Sequence, residues 1–248
     1  MVERGLSERG SLAQRLIMAG QVRVDGQVVF NPATAISNDS KLTVDFGPRF
    51  VSRGGDKLEA GFLAWPVDVT GCICADVGAS TGGFTDCLLQ HGAAKVYAID
   101  VGKGILHWKI RSDPRVVVME GTNARYVESL PEPVSLVTID ASFISLKVLL
   151  PVVKEWSGNV ITLIKPQFEA GRKESAKGDG VIRDPEIHRR VLEEVLTFAQ
   201  DNGFSVSGLI RSPVLGPKGN VEFLAWLNAT EMHDAAPLSE MINTLFQG

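Results

Sequence analysis

Two lysines and two carboxylates carry the chemistry expected of this sequence: Lys57, Asp140, Lys165 and Glu222. Lys165 closes the run Val160, Ile161, Thr162, Leu163, Ile164, an apolar stretch of the kind that forms a strand covered on both faces of a parallel sheet. Pro166 cannot extend a hydrogen-bond ladder, so the strand stops at the lysine. Asp140 ends a second such run in "VTIDASFISL", Glu222 opens a strand in "GNVEF", and Lys57 leaves the glycine-rich "SRGGDK" just before the sheet begins. A neutral lysine accepts the proton of a hydroxyl, and neighbouring carboxylates orient the group. Holding that hydroxyl in line with an electrophilic methyl contributes further. These residue types therefore suit alkylation of a hydroxyl. "DASF" lacks the paired prolines displayed by amino-group methylation, and no cysteine stands at this edge to attack a cytosine carbon.

The methyl donor is written at three other strand ends. "ADVGASTGGFTD" (75–86) joins a strand ending near Asp76 to its helix. Gly78, Gly82 and Gly83 allow sharp turns and close approach, Ala79, Ser80 and Phe84 complete the loop, and Thr81 or Thr85 is placed to cap the helix. Ser80 stands where G-x-G-x-x-G has its second glycine, which disfavours a pyrophosphate cradle and a nicotinamide oxidoreductase. An acid at position 76 suits a cation or an amine. Asp100, followed by Val101, ends the next strand and is placed to accept from a ribose diol. Asn123, in "GTNAR", offers a donor and an acceptor to an adenine edge. Adenosine joined to a positively charged, phosphate-free tail describes S-adenosyl-L-methionine.

These residues need a scaffold that brings strand ends together. From residue 71 onward strands are predicted near 72–77, 95–100, 116–120, 134–139, 160–164, 204–210 and 221–227, with helices near 83–91, 104–111, 146–156 and 185–201. Such alternation predicts an α/β, Rossmann-like sheet with helices on both faces. Only "SPVLGPKGN" separates the last two strands, so they form an antiparallel pair. The polar stretch 166–183 follows Lys165 as a long loop of the functional kind. Residues 1–45 differ. "LSERGSLAQRLIMAG" reads as a helix capped by Ser7 or Ser11, with Leu12, Leu16 and Ile17 on one face, and "QVRVDGQVVF" as a hairpin about Asp25-Gly26. The predicted organisation is a small α+β domain (1–45), a glycine-rich linker (46–57), a larger domain (58–230) and a helical tail (231–248) that docks on its own body through Leu238, Met241, Ile242, Leu245 and Phe246.

Of the 248 residues, 44% are hydrophobic, enough for a substantial core. The net charge of −4 opposes wholesale electrostatic binding to nucleic acid, but residues 1–60 carry eight bases and seven acids, leaving −5 for the remainder. Three cysteines fit a reducing cytoplasm. Cys72 and Cys74 make a poor metal pair, with no histidine or further cysteine nearby, and no metal is expected. No signal peptide is read at the amino terminus, and Asp140, Lys147 and Pro151 interrupt the longest apolar region.

The segments "SRGGDKL", "GASTGGFTD", "DVGKGILHWKIRSDPRVVVMEGTNAR", "IDASFISL", "LIKPQFEAG" and "GPKGNVEF" closely resemble the TlyA, or hemolysin A, family of ribosomal RNA ribose 2′-O-methyltransferases related to FtsJ enzymes. The resemblance spans residues 2–227. It implies an RNA-binding domain of the S-four ribosomal-protein type, shortened at "MVERGL", with Arg4, Arg9, Arg15, Arg23 and Arg53 as candidate phosphate contacts. It also implies an S-adenosylmethionine-dependent domain with a Lys-Asp-Lys-Glu tetrad at Lys57, Asp140, Lys165 and Glu222. Ribosomal RNA within ribosomal subunits is the implied partner; neither DNA nor a membrane is expected. Two other readings are a non-catalytic RNA-binding assembly factor and, from the family's second label, a membrane-active cytolysin. The intact tetrad opposes the first, and the lack of a spanning or basic amphipathic segment opposes the second.

Overall fold

The computed structural model describes residues 1–171, 174, 178–229 and 236–247, so parts of the predicted 166–183 loop and the start of the predicted tail at 231–235 lie outside the described residues. The chain divides into two units, Met1–Arg49 and Phe50–Gly248.

In the smaller unit, helix α1 (Gly10–Met18) precedes a three-stranded antiparallel sheet of β1 (Val22–Val24), β2 (Gln27–Val29) and β3 (Leu42–Val44), with β1 in the centre. Asp25 and Gly26 turn the hairpin with φ of 50° and 85°, the two positive values a type I′ turn requires. Ala13 and Leu16 of α1 pack inward, with Val22 beneath. Neither predicted serine caps α1. Its N-cap is Arg9, and Ser7 Oγ instead donates to the Arg9 carbonyl at 2.9 Å.

The larger unit alternates α2 (Gly54–Ala64), β4 (Ile73–Val77), α3 (Gly83–Gln90), β5 (Lys95–Asp100), α4 (Trp108–Arg111), β6 (Val116–Glu120), β7 (Leu136–Ile139), α5 (Leu146–Lys154), β8 (Asn159–Ile164), α6 (Pro166–Glu169) and α7 (Pro185–Asp201). The antiparallel β9 (Ser205–Arg211), β10 (Phe223–Asn228) and α8 (Leu238–Thr244) complete it. The seven strands run in the order β6-β5-β4-β7-β8-β10-β9, parallel from β6 to β8, with β10 antiparallel to both neighbours. The pairing Phe223↔Ile164 brings Glu222 to the edge where Lys165 leaves β8. Two apolar layers sandwich the sheet. Leu58, Phe84, Leu88 and Ile110 from α2, α3 and α4 pack in one, and Leu149, Leu150, Val191 and Leu196 from α5 and α7 in the other. α8 docks on the second layer: Ile242 is fully buried, and the Phe246 ring lies 6.2 Å from that of Phe223.

The linker reading ends too late, because α2 begins at Gly54 and Lys57 sits in its first turn. Gly54 and Gly55 signal close packing there, not a flexible turn. A Cβ on Gly55 would overlap the Phe50 ring, and one on Gly83 would fall on Ser52 Oγ and come within 2.9 Å of the Gly55 nitrogen. The two helix starts thus meet backbone to backbone, which fixes Lys57 beside the loop 78–83. Gly83→Ala forces α2 away from α3; it is expected to lower the free energy of urea unfolding by about 1–3 kcal/mol with the denaturant slope unchanged.

Candidate active site

The tetrad assembles as two ion pairs. Lys57 Nζ lies 2.5 Å from Glu222 Oε2, and Lys165 Nζ lies 2.5 Å from Asp140 Oδ1. Three of the four are nearly excluded from water, with Asp140 the most open at 20% side-chain exposure. Buried charges persist only when paired, so each lysine accounts for one carboxylate. Further bonds hold them. Lys165 Nζ also donates to Ser142 Oγ at 3.0 Å and to the Asp140 carbonyl at 3.2 Å, and Gln167 Nε2 donates to Glu222 Oε1 at 3.0 Å. Asn220 clamps the flanking loops, accepting from Ile182 N–H at 2.9 Å and donating to the Gly180 carbonyl at 2.8 Å.

The tetrad lines a cavity of about 800 Å³. A second cavity, of about 640 Å³, lies over the ends of β4, β5 and β7 and is lined by Gly78, Ser80, Asp100, Val101 and Asn123. Ser80, Asp140, Ser142 and Phe143 belong to both walls, so the two spaces meet at Asp140. Asp100 builds the second cavity: its Oδ2 accepts from Ser80 N–H at 2.8 Å and its Oδ1 from Gly102 N–H at 2.7 Å. Ser80 adopts φ 50°, so a serine takes the left-handed backbone that glycine takes elsewhere. Phe143, at φ 64°, is 90% exposed above the junction, its ring 4.8 Å from that of Phe168. Positive φ at a bulky residue is strained, and such strain collects at ligand sites.

The FtsJ-like methyltransferase family matches residues 50–229, and the S4 domain matches residues 1–38. The 16S/23S rRNA (cytidine-2'-O)-methyltransferase TlyA of Mycobacterium tuberculosis is 45% identical to this chain over 234 residues, covering 92% of it and 87% of that protein. Hemolysin A of Brachyspira hyodysenteriae is 43% identical over 227 residues, covering 89% and 94%. The chain belongs to the TlyA family of FtsJ-like methyltransferases. The solved structure of a protein from Streptococcus thermophilus designated a hemolysin is similar to this chain, with a TM-score of 0.74 at 42% identity and coverage of 99% of this chain and 93% of that one. No helix among the described residues is long and apolar enough to cross a membrane.

Within this TlyA domain the sequence-predicted donor residues divide. Gly78, Ala79, Ser80, Thr81, Gly83 and Phe84 line the grooves around the tetrad, and Asp100, Val101 and Asn123 the second cavity. Asn123 Oδ1 accepts from Arg125 N–H at 3.1 Å, capping a short helical turn. Gly82 is buried and supplies the left-handed N-cap of α3 at φ 96°, so neither Thr81 nor Thr85 caps that helix. Thr85 Oγ1 donates instead to Asp76 at 2.6 Å. All five candidate arginines, Arg4, Arg9, Arg15, Arg23 and Arg53, are exposed, and Arg4 also donates to the Ser40 and Asn38 carbonyls, both at 2.6 Å. Sequence reasoning passed over Glu120, at the end of β6. Its carboxylate accepts from Arg111 and from the N–H groups of Gly104, Ile105 and Leu106; Arg111 first, then the Gly104 and Leu106 N–H groups, hold its pKa down to about 2 against partial burial. Its place at a strand end, one strand beyond Asp100, was the available signal.

Asp76 turns inward. Fully buried and absent from both cavity walls, it accepts from Thr85 and, at 3.0 Å, from Thr138 Oγ1, tying the loop to β7. Burial pushes its carboxyl up to about 7 against the pull of the threonine hydrogen bonds, and Asp140 adds to the rise. The folded chain therefore retains a proton that the unfolded chain loses above 3.8, and this group's favourable contribution is lost as pH rises through about 7. Asp76→Asn is expected to raise the melting temperature relative to wild type at about pH 8.5, with the advantage shrinking at about pH 5.5.

Proposed function

We propose that this chain transfers a methyl group from S-adenosylmethionine to a ribose 2′-hydroxyl of ribosomal RNA. The observation that carries the reading is the junction at Asp140, where a cavity walled by Asp100 opens into one walled by two lysine–carboxylate pairs. The activity for which the Mycobacterium tuberculosis relative is named supports the acceptor.

The residues of the second cavity fit the donor. Each Asp100 oxygen accepts one backbone N–H and retains acceptor capacity for a ribose diol. Val101, 68% exposed, and Phe143 offer apolar faces to a purine, and the cavity wall presents no phosphate-cradling G-x-G-x-x-G loop. When bound, S-adenosylmethionine supplies an electrophilic methyl on sulfur. Asp140 and Ser142 aim Lys165 Nζ into the acceptor cavity; once the ammonium has given a proton to solvent, the neutral amine would take up the hydroxyl proton as the methyl passes from sulfur to the ribose oxygen. Lys57 and Glu222 hold the acceptor ribose by hydrogen bonds, and exposed Phe143 gives an unstacked base a ring to lie against. The arginines of the smaller unit bind phosphates, and ribosomal RNA places the reaction in the cytoplasm.

The test is transfer of labelled methyl from S-adenosylmethionine to unmodified bacterial ribosomal subunits, with the product nucleotides identified. Ribose-methylated product is expected, reduced about a hundredfold to ten-thousandfold in Lys165→Ala. Label on a base, or no transfer despite cofactor binding, overturns the reading. Replacing Arg9 and Arg15 together by alanine is expected to flatten the dependence of log affinity on log salt by about 0.7–0.9 for each phosphate that is no longer neutralised.

A further inference from the structure

The turn after β8 serves both ion pairs. Lys165 is extended, with φ −113° and ψ 99°, and Pro166 opens α6 immediately behind it. This change of direction within three residues sends Lys165 to Asp140 and Gln167 to Glu222. Glu222 is 1% exposed and has two oxygens to satisfy. Lys57 takes Oε2 and Gln167 takes Oε1. Gly216 closes the remaining side, since a Cβ there would stand 2.5 Å from Oε1.

The register raises a hazard. Phe223 pairs with Ile164, so the next pair outward at this edge is Glu222 opposite Lys165. A carboxylate free to turn at that position would face Lys165 across the pairing, and two separate pairs would merge into one cluster. Lys165 would then answer to Glu222 as well as to Asp140.

We propose that Gln167 is a positioning residue for the methyl transfer: its side-chain amide holds Glu222 on Lys57 and so leaves Lys165 to Asp140. The inference rests on the functional reading above and adds to it a neutral residue outside the tetrad. Gln167 acts through Glu222, and its amide does so as a donor. Removing that donor while keeping the side chain's bulk therefore releases the carboxylate without opening a hole.

The experiment compares single-turnover methyl transfer to ribosomal subunits by wild type, Gln167→Met, Gln167→Ala, Glu222→Ala and Glu222→Ala combined with Gln167→Met. Melting temperature and S-adenosylmethionine affinity are measured alongside. Gln167→Met is expected to lower the transfer rate constant about tenfold, with cofactor affinity and melting temperature close to wild type. In the Glu222→Ala background the same substitution is expected to change the rate less than about twofold, because the group it positions is gone. A wild-type rate in both Gln167 variants overturns the proposal. So does a full tenfold cost on top of Glu222→Ala, which makes Gln167 independent of Glu222. Failure of the wild type itself to methylate ribose is a separate result, which overturns the functional reading and this one with it.

Discussion

The larger unit depends on a charge pair shut away from water. Lys57 belongs to the first helix of the unit and Glu222 to the approach to its last strand, 165 positions apart, and their contact joins the two ends of the fold across the edge where Lys165 leaves β8. Neither charge is tolerable there alone; stranding one partner of a buried pair costs about 3–5 kcal/mol. The glycines at the start of α2 and α3, the antiparallel insertion of β10 and the wrap of the 213–220 loop are all conditions for that contact. An ion pair so deeply placed adds little net stability over an apolar substitute of the same volume.

Around this pair the parts divide their labour by rigidity. The sheet supplies fixed points: Asp100 and Glu120 end adjacent parallel strands and spend their carboxylates on loop N–H groups, so Asp100, legible as a ligand contact, is also internal scaffolding for its loop. Glu169 does the same for the next layer, its half-buried carboxyl raised chiefly by desolvation while it accepts from Ser145 Oγ and Leu146 N–H at the start of α5. Ser80 and Phe143, both with positive φ, stand on the shared wall of the two cavities.

Much of this was legible in the residues themselves. Continuous β-branched runs gave the strands and their ends, the short span between 211 and 223 gave the antiparallel pair, and the chemistry of a lysine beside an acid gave the tetrad before any geometry. The errors share one cause. The glycines at 54 and 55 looked like flexibility because a sequence does not distinguish a glycine needed for a turn from one needed for contact. Thr85 looked like a cap because its hydroxyl's true partner, Asp76, is fixed by a tertiary contact. Asp76 itself looked like a ligand residue, and only the packing of β4 between β5 and β7 shows that it points into the body of the unit. Gln167 carries no charge and belongs to no spacing rule, so only distance reveals it.

The antiparallel seam between β8 and β10 has a consequence for how this chain can change. Side chains alternate along a strand, so moving the pairing by one position exchanges every inward group for an outward one. At the outer end of this seam the exchange would replace Glu222 by Val221 or Phe223 opposite Lys165. The loop that precedes the seam can thus lengthen or shorten only in ways that leave the pairing intact. A single-residue deletion inside β10 would change which side chain stands opposite Lys165 while barely disturbing the backbone, in the one strand of the sheet that runs against the others.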